Sequence, residues 1–217
     1  LSGKRINPLK DKALRMTLAC AALCNNAFMK KGGIIGDPTE GAMLVATAKA
    51  FDVEKLRREF PRQDELPFTS ERKMMSTINL SAGKRIMFTK GAPEVILARC
   101  THVLRGEKKV KMTWREKEEI HRTNSRYAAS ALRVLACAYS EGKTERGLVF
   151  LGLMGMIDAP REGVARDIKR CATAGIKVVM ITGDNPETAQ AIGKELGLLK
   201  GGEKILVGAD LDRLSPK

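Results

Sequence analysis

The chain changes character at Asp158-Ala159-Pro160-Arg161, and that change limits what it can fold into. Beyond it the pattern predicts a helix over 162–174, Gly175, a strand over 176–181, a glycine-containing loop, a helix over 186–196 and a short strand over 204–207. Val178-Val179-Met180-Ile181 is apolar at every position, as strands covered on both faces of a parallel sheet are. Only about 60 residues follow the change, too few for a complete doubly wound domain. This stretch is expected to be an incomplete Rossmann-like α/β segment.

The preceding residues read as an α+β domain, an antiparallel sheet with flanking helices. Leu14, Leu18, Ala21 and Ala22 recur at helical spacing and stop near Asn25-Asn26. Gly32-Gly33 opens a loop, and Asp37-Pro38-Thr39-Glu40 then starts a helix that runs to about residue 51, with Asp as N-cap, Pro at the first position and Glu at the third. A second helix covers 54–60, and Pro61 and Pro67 bracket a polar linker. Alternation over 74–80 meets 84–89 across a Ser-Ala-Gly turn, which predicts a β-hairpin. Helices over 93–99 and 114–130 and strands over 133–139 and 148–157 complete this part. Two domains are expected, residues 1–157 and residues 158–217.

Composition narrows the function classes. With 43% hydrophobic and 29% charged residues the chain is neither disordered nor fibrous. No apolar stretch reaches the roughly 18 to 20 residues of a membrane helix. Leu1-Ser2-Gly3-Lys4-Arg5 is neither an initiator methionine nor a signal peptide, so the chain reads as a piece of a longer protein. A formal charge of +14 favours an anionic partner, and only 4% aromatic residues leave few platforms for single-stranded bases, so a nucleotide or phosphoryl ligand is favoured over nucleic acid. The five cysteines include no CxxC pair, and only His102 and His121 could join them, so no metal site is expected. Cys20 and Cys24, one turn apart in an Ala/Leu-rich stretch, read as small buried side chains in a reducing compartment.

Three places could carry chemistry. Thr182-Gly183-Asp184 ends the apolar strand before a helix start at Asn185-Pro186, a placement that suits either a phosphoryl-binding loop or an ordinary turn capped by Asp184 or Asn185. Phe68, Lys73 and Lys90 could surround a purine, the aromatic face stacking and the cations bonding, with Gly91 leaving the Lys90 ammonium open. Equally, both lysines could be solvated and Phe68 part of the core. Glu40 could face a ligand or close a capping box. Asp210-Leu211-Asp212 is not expected to be a catalytic pair.

In order along the chain stand Gly36-Asp-Pro-Thr-Glu-Gly41, Phe68-Thr-Ser-Glu-Arg-Lys73-Met, Lys90-Gly-Ala-Pro-Glu94, Leu132-Arg133-Val-Leu135, Asp158-Ala-Pro-Arg161 and Thr182-Gly-Asp184. This series resembles type II P-type cation-transporting ATPases, most closely the calcium-pump branch, over nearly the whole chain. The resemblance implies a nucleotide-binding (N) domain followed by the first part of a phosphorylation (P) domain, on the cytoplasmic side of a membrane. It implies ATP as ligand, Mg²⁺ accompanying it through ligands outside this chain, and a parent pump with an actuator domain, the rest of the P domain and membrane helices. Residue by residue, it implies that Phe68 stacks on adenine and Lys73, Lys90 and Gly91 line the pocket. Glu40 would contact the adenine side, and Met75 and Leu135 would form its apolar wall. Arg133 and Thr39 would approach the phosphates. Asp158 and Arg161 match the interdomain hinge, and Thr182, Gly183 and Asp184 the phosphoryl-binding loop. Ser70 stands where many calcium pumps carry an arginine, which implies weaker phosphate contact or compensation by Arg72.

The family's phosphorylated aspartate lies in Asp-Lys-Thr-Gly-Thr, a string this sequence lacks, since Asp11-Lys12 continues as Ala13-Leu14. The chain alone is therefore expected to bind ATP without hydrolysing it. Two other classes stay open on sequence: a soluble haloacid-dehalogenase-like phosphatase, suggested only by Thr182-Gly183-Asp184, and a basic nucleic-acid-binding domain, permitted by the charge but not expected.

Overall fold

The computed structural model describes residues 7–8, 10–30, 33–130, 132–157, 163–183, 186–199, 201 and 205–211. They divide into two compact units, Leu1–His121 with Val134–Met154, and Arg122–Arg133 with Gly155–Lys217.

In the first unit, helix α1 (Lys12–Leu23) starts at Asp11, whose side chain accepts from the Leu14 N–H, and is buried continuously from Thr17 to Leu23. A short antiparallel hairpin, β1 (Phe28–Lys30) and β2 (Gly33–Ile35), precedes α2 (Pro38–Ala48). Asp37 caps α2 as its spacing predicts, accepting from the Thr39 and Glu40 N–H groups. Helix α3 (Val53–Glu59) follows, capped by Asp52.

The main sheet holds β3 (Arg62–Leu66), β4 (Met74–Ser81), β5 (Lys84–Gly91), β6 (Cys100–Arg105), β7 (Lys108–Lys111), β8 (Leu132–Glu141) and β9 (Leu148–Ile157) in the order β3-β4-β5-β8-β9-β6-β7. The predicted hairpin is present as β4 and β5. Its turn residues Ala82 and Gly83 both have positive φ, 46° and 77°, the twist that two-residue hairpin loops require. Helix α4 (Pro93–Arg99) leads into β6, and α5 (Trp114–Ala128) opens with a capping box in which Glu116 and Thr113 exchange hydrogen bonds.

The sheet differs from expectation in three ways, the first being that it holds β6 and β7, an antiparallel pair over residues for which the sequence predicts no element. It is mixed, because β6 runs parallel to β9 with Cys100 opposite Leu148 and Val103 opposite Phe150, a crossover made through β7, α5 and β8. The segment between Pro61 and Pro67 is a strand and not a linker: β3 pairs antiparallel with β4, Glu65 opposite Thr77 and Leu66 opposite Ser76. Both edge strands, Arg-Gln-Asp-Glu-Leu in β3 and Lys-Lys-Val-Lys in β7, are charged, which keeps open edges from pairing with other chains and also hides them from hydrophobic periodicity.

Side chains alternate across the sheet, so its two faces carry different cores. Helix α1 covers the face of Met75, Lys90 and Cys137, which are cross-strand partners on β4, β5 and β8. Cys20 donates to the Thr89 and Ala138 carbonyls and Cys24 to the Met75 carbonyl, which ties α1 to all three strands. The other face buries Met74, Ala136 and Ala138 with Ile96, Leu97 and Phe150.

The second unit contains α6 (Val164–Thr173), α7 (Pro186–Glu195) and α8 (Gly208–Leu211). The predicted strands do not appear among its described residues. Residues 176–183 and 205–207 have no regular structure, and Ile181 is 94% exposed. Backbone groups of a strand must pair, and no described neighbour supplies a ladder there, so the Rossmann-like arrangement is not formed by the described residues.

Candidate functional site

Lys90 sits near the end of β5, and the alternation that sends it to the α1 face buries it, leaving 6% exposed. Its Nζ donates to Glu40 Oε1 at 2.6 Å. Glu40 stands in the first turn of α2, its Oε2 accepting the Asn26 N–H at 2.9 Å while its own carbonyl accepts from Asn25 Nδ2 at 2.9 Å. Each carboxylate oxygen thus has a long-range partner, and the acid links α2, β5 and the segment after α1. A buried ion pair gives little net stability, yet removing one partner leaves an uncompensated charge and costs about 3–5 kcal/mol.

On the sheet side the surroundings of this pair are apolar, while two guanidinium groups, Arg57 and Arg62, lie close to its Glu40 end, both bonded to the Asn25 carbonyl. Met75 is buried beside Lys90, and Cys20, Cys24 and Cys137 lie on the same side of the sheet. Burial pushes the Cys24 thiol up to about 12 against the opposing effect of the Lys90 charge. Cys20 is raised well above its ordinary value, by burial first and then by its contact with Cys137. The Cys20 and Cys24 thiols therefore stay protonated at neutral pH, and the Lys90 ammonium is bonded to the Glu40 carboxylate.

Phe68 behaves in the opposite way. It is 60% exposed, on a loop joining β3 to β4, and does not belong to the core. The loop is nonetheless fixed. Thr69 accepts from the Lys73 N–H through its carbonyl at 2.8 Å and from the Arg72 N–H through its hydroxyl at 3.2 Å. The Lys73 carbonyl accepts from Ala92 N–H at 2.9 Å. Lys73, exposed and at φ 51°, is held in the left-handed region that a side chain ordinarily avoids. Gly91 makes this possible: a Cβ there would stand 2.5 Å from the Lys73 carbonyl oxygen and 2.7 Å from the Met74 Cβ. The closing residue of the Phe68 loop therefore lies against the residue after Lys90.

The remaining residues fall as follows. Thr39 is half-buried at the second position of α2, and its N–H bonds to Asp37. Leu135 is half-buried on β8, with the alternation of Cys137, and Arg133 is exposed at the start of that strand. Ser70 is exposed. Arg72 is half-buried and bonded to Glu145 Oε1 at 2.5 Å and the Pro67 carbonyl at 2.7 Å. The expectation of an open Lys90 ammonium is corrected: the ammonium is enclosed and paired, because Gly91 serves the backbone of the neighbouring strand. Thr182 and Gly183 are exposed in irregular backbone, while Asp184, Asp158 and Arg161 lie outside the described residues. A cavity of about 220 Å³ in the first unit lies among Asn25, Asn26, Phe28, Arg57, Phe60 and Arg62, and Phe68 and Lys90 do not line it. Sequence reasoning missed Asn25 and Asn26 as supports of Glu40, reading them only as a helix stop, and missed Glu145, which no motif marks.

A family profile described as P-type ATPase, cytoplasmic domain N, matches residues 13–163. The chain belongs to the P-type ATPase family. It is 41% identical to Calcium-transporting ATPase 1 of Lactococcus lactis subsp. lactis (strain IL1403), an alignment covering 98% of this chain and 26% of that protein. Calcium-transporting ATPase of Bacillus subtilis (strain 168) is 40% identical over 99% of this chain and 26% of its own length. Calcium-transporting ATPase type 2C member 2 of Homo sapiens is 36% identical over 97% and 22%. The chain thus spans about a quarter of these P-type ATPases. The matched N-domain region contains Glu40, the Phe68 loop, Lys90 and Arg133. Among the described residues no helix is long and apolar enough to cross a membrane.

Proposed function

We propose that this chain is the ATP-binding N domain, residues 1–157, and the first part of the P domain, residues 158–217, of a cation-transporting P-type pump whose cation is calcium. The observation that carries the ATP reading is Phe68: a large aromatic face, mostly exposed, on a loop fixed by its own hydrogen bonds and set against the strand of a buried lysine. A fixed apolar plane beside polar groups suits a purine, which needs stacking on its face and hydrogen bonding at its edge.

In this reading adenine stacks on Phe68, with Met75 and Leu135 as apolar wall and Lys73, Gly91 and the Lys90–Glu40 pair lining the pocket. Thr39 and Arg133 approach the phosphates. Asp158 and Arg161 form the hinge, and Thr182, Gly183 and Asp184 a phosphoryl-binding loop. ATP brings Mg²⁺, whose protein ligands belong to the remainder of the pump, as do the phosphorylated aspartate, the actuator domain and the membrane helices. The two domains would work on the cytoplasmic side of that membrane.

The chain by itself is expected to bind ATP at hundreds of micromolar to millimolar, about −4 to −5 kcal/mol, without turnover. NMR titration and phosphate release test this together. Shifts confined to the Phe68 loop, α2 and the adjoining parts of β4, β5 and β8 support it; release above a protein-free control, or no saturable shift, contradicts it.

A further inference from the structure

The loop between β8 and β9 sends one carboxylate toward the Phe68 loop. Glu145, its side chain 22% exposed, accepts at Oε1 from Arg72 at 2.5 Å and from the Ser76 hydroxyl at 2.6 Å. Ser76 gives its proton to Glu145, so the 2.9 Å contact between Ser76 and Thr89 leaves Thr89 as donor. Both hydroxyl residues are fully buried. The second branch of the guanidinium closes the loop, Arg72 Nη1 donating to the Pro67 carbonyl at 2.7 Å, one residue before Phe68. The Glu145 loop is braced in turn, Ser140 donating to the Thr144 carbonyl and Arg146 N–H to the Thr144 hydroxyl.

Ser76 and Thr89 are register partners one step along from Met75 and Lys90. A single carboxylate therefore holds two things at once, the aromatic loop through Arg72 and, through Ser76 and Thr89, the two strands β4 and β5 that carry Met75 and Lys90, gripped from the opposite face of the sheet. Charge-assisted bonds of this kind fix geometry more tightly than neutral ones. We infer that Glu145 is a positioning residue for nucleotide binding, which sets the Phe68 face relative to Lys90 without touching the ligand. This rests on the ATP reading of the Phe68 loop given above.

The test is ATP affinity of the chain by NMR titration, with amide exchange at Arg72 and Lys73 measured without ligand. Misplacing a fixed contact surface costs binding steeply, so Glu145→Ala is expected to weaken ATP about 5- to 10-fold and Glu145→Gln, which retains an acceptor but not the charge, about 2- to 3-fold. Exchange at Arg72 and Lys73 rises in both. In a Phe68→Leu background, where the aromatic face is already gone, Glu145→Ala costs less than about 2-fold if it acts through that face. Wild-type affinity in Glu145→Ala, or the full loss repeated in the Phe68→Leu background, overturns the positioning role and leaves the ATP reading intact. Should Glu145→Ala fail to fold, Glu145→Gln decides by the same criteria. A wild-type chain that does not bind ATP overturns the reading and the positioning role together.

Discussion

Two apolar runs in this chain have had different fates. Met74 to Ile78 in the first unit and Val178 to Ile181 in the second are both rich in strand-forming or large apolar residues. The first is paired on both sides, by β3 and β5, and its Ile78 is 3% exposed. The second has no described partner, and its Val179 is 70% exposed. Hydrophobicity nominates a strand, but the ladder and a covering layer decide whether one forms. The same contrast runs through the helices: α1 is buried over Thr17 to Leu23, whereas α6 buries no residue.

The first unit should therefore be sensitive where the second is tolerant. The largest effect is expected at Glu40. Glu40→Ala leaves Lys90 charged and buried, and should destabilise the first unit by about 3–5 kcal/mol in urea titration, with Lys90→Met restoring much of the loss in the double variant. A loss under about 1 kcal/mol would mean that the pair is wetter than its burial indicates.

The thiols give a second contrast. An unperturbed thiol here titrates near 9.0, and burial pushes native Cys24 and Cys100 up to about 12. The unfolded chain releases these protons first, so stability is complete below about pH 9 and falls as the pH climbs toward 12. At pH 8 iodoacetamide should modify half-buried Cys171 of α6 well before Cys20, Cys24 or Cys100. Mass mapping that finds the buried thiols labelled first would break the comparison. The smallest effect is expected at Ile181, where substitution by Ser should change stability by less than about 0.5 kcal/mol, in contrast to Ile78→Ser.

Local chemistry explains how much of this was legible in sequence. The hairpin of β4 and β5, the Asp37 cap and α4 follow from turn residues, capping spacing and alternation, all of which act within a few residues. The edge strands β3 and β7 were not legible because their charges remove the periodic signal. The direction of β9 beside β6 depends on a long crossover that no local pattern encodes. Within the site, Phe68, Glu40 and Lys90 could be singled out by residue type, but not that Lys90 is enclosed and Phe68 open. The alternation along β5 assigns Lys90 to a face, and only the packing of α1 on that face encloses it. Glu145 lies in a polar loop with nothing in its neighbourhood to mark it, and its partners are 69 and 73 residues away.

The account depends most on the exposed aromatic. ATP titration of Phe68→Ala beside the unaltered chain, each checked by circular dichroism, tests it most directly. The account predicts an unchanged fold with binding weakened by roughly 1–3 kcal/mol, the worth of one base stacked on one aromatic ring. Unchanged affinity, or a collapsed spectrum that returns Phe68 to the core, would contradict it.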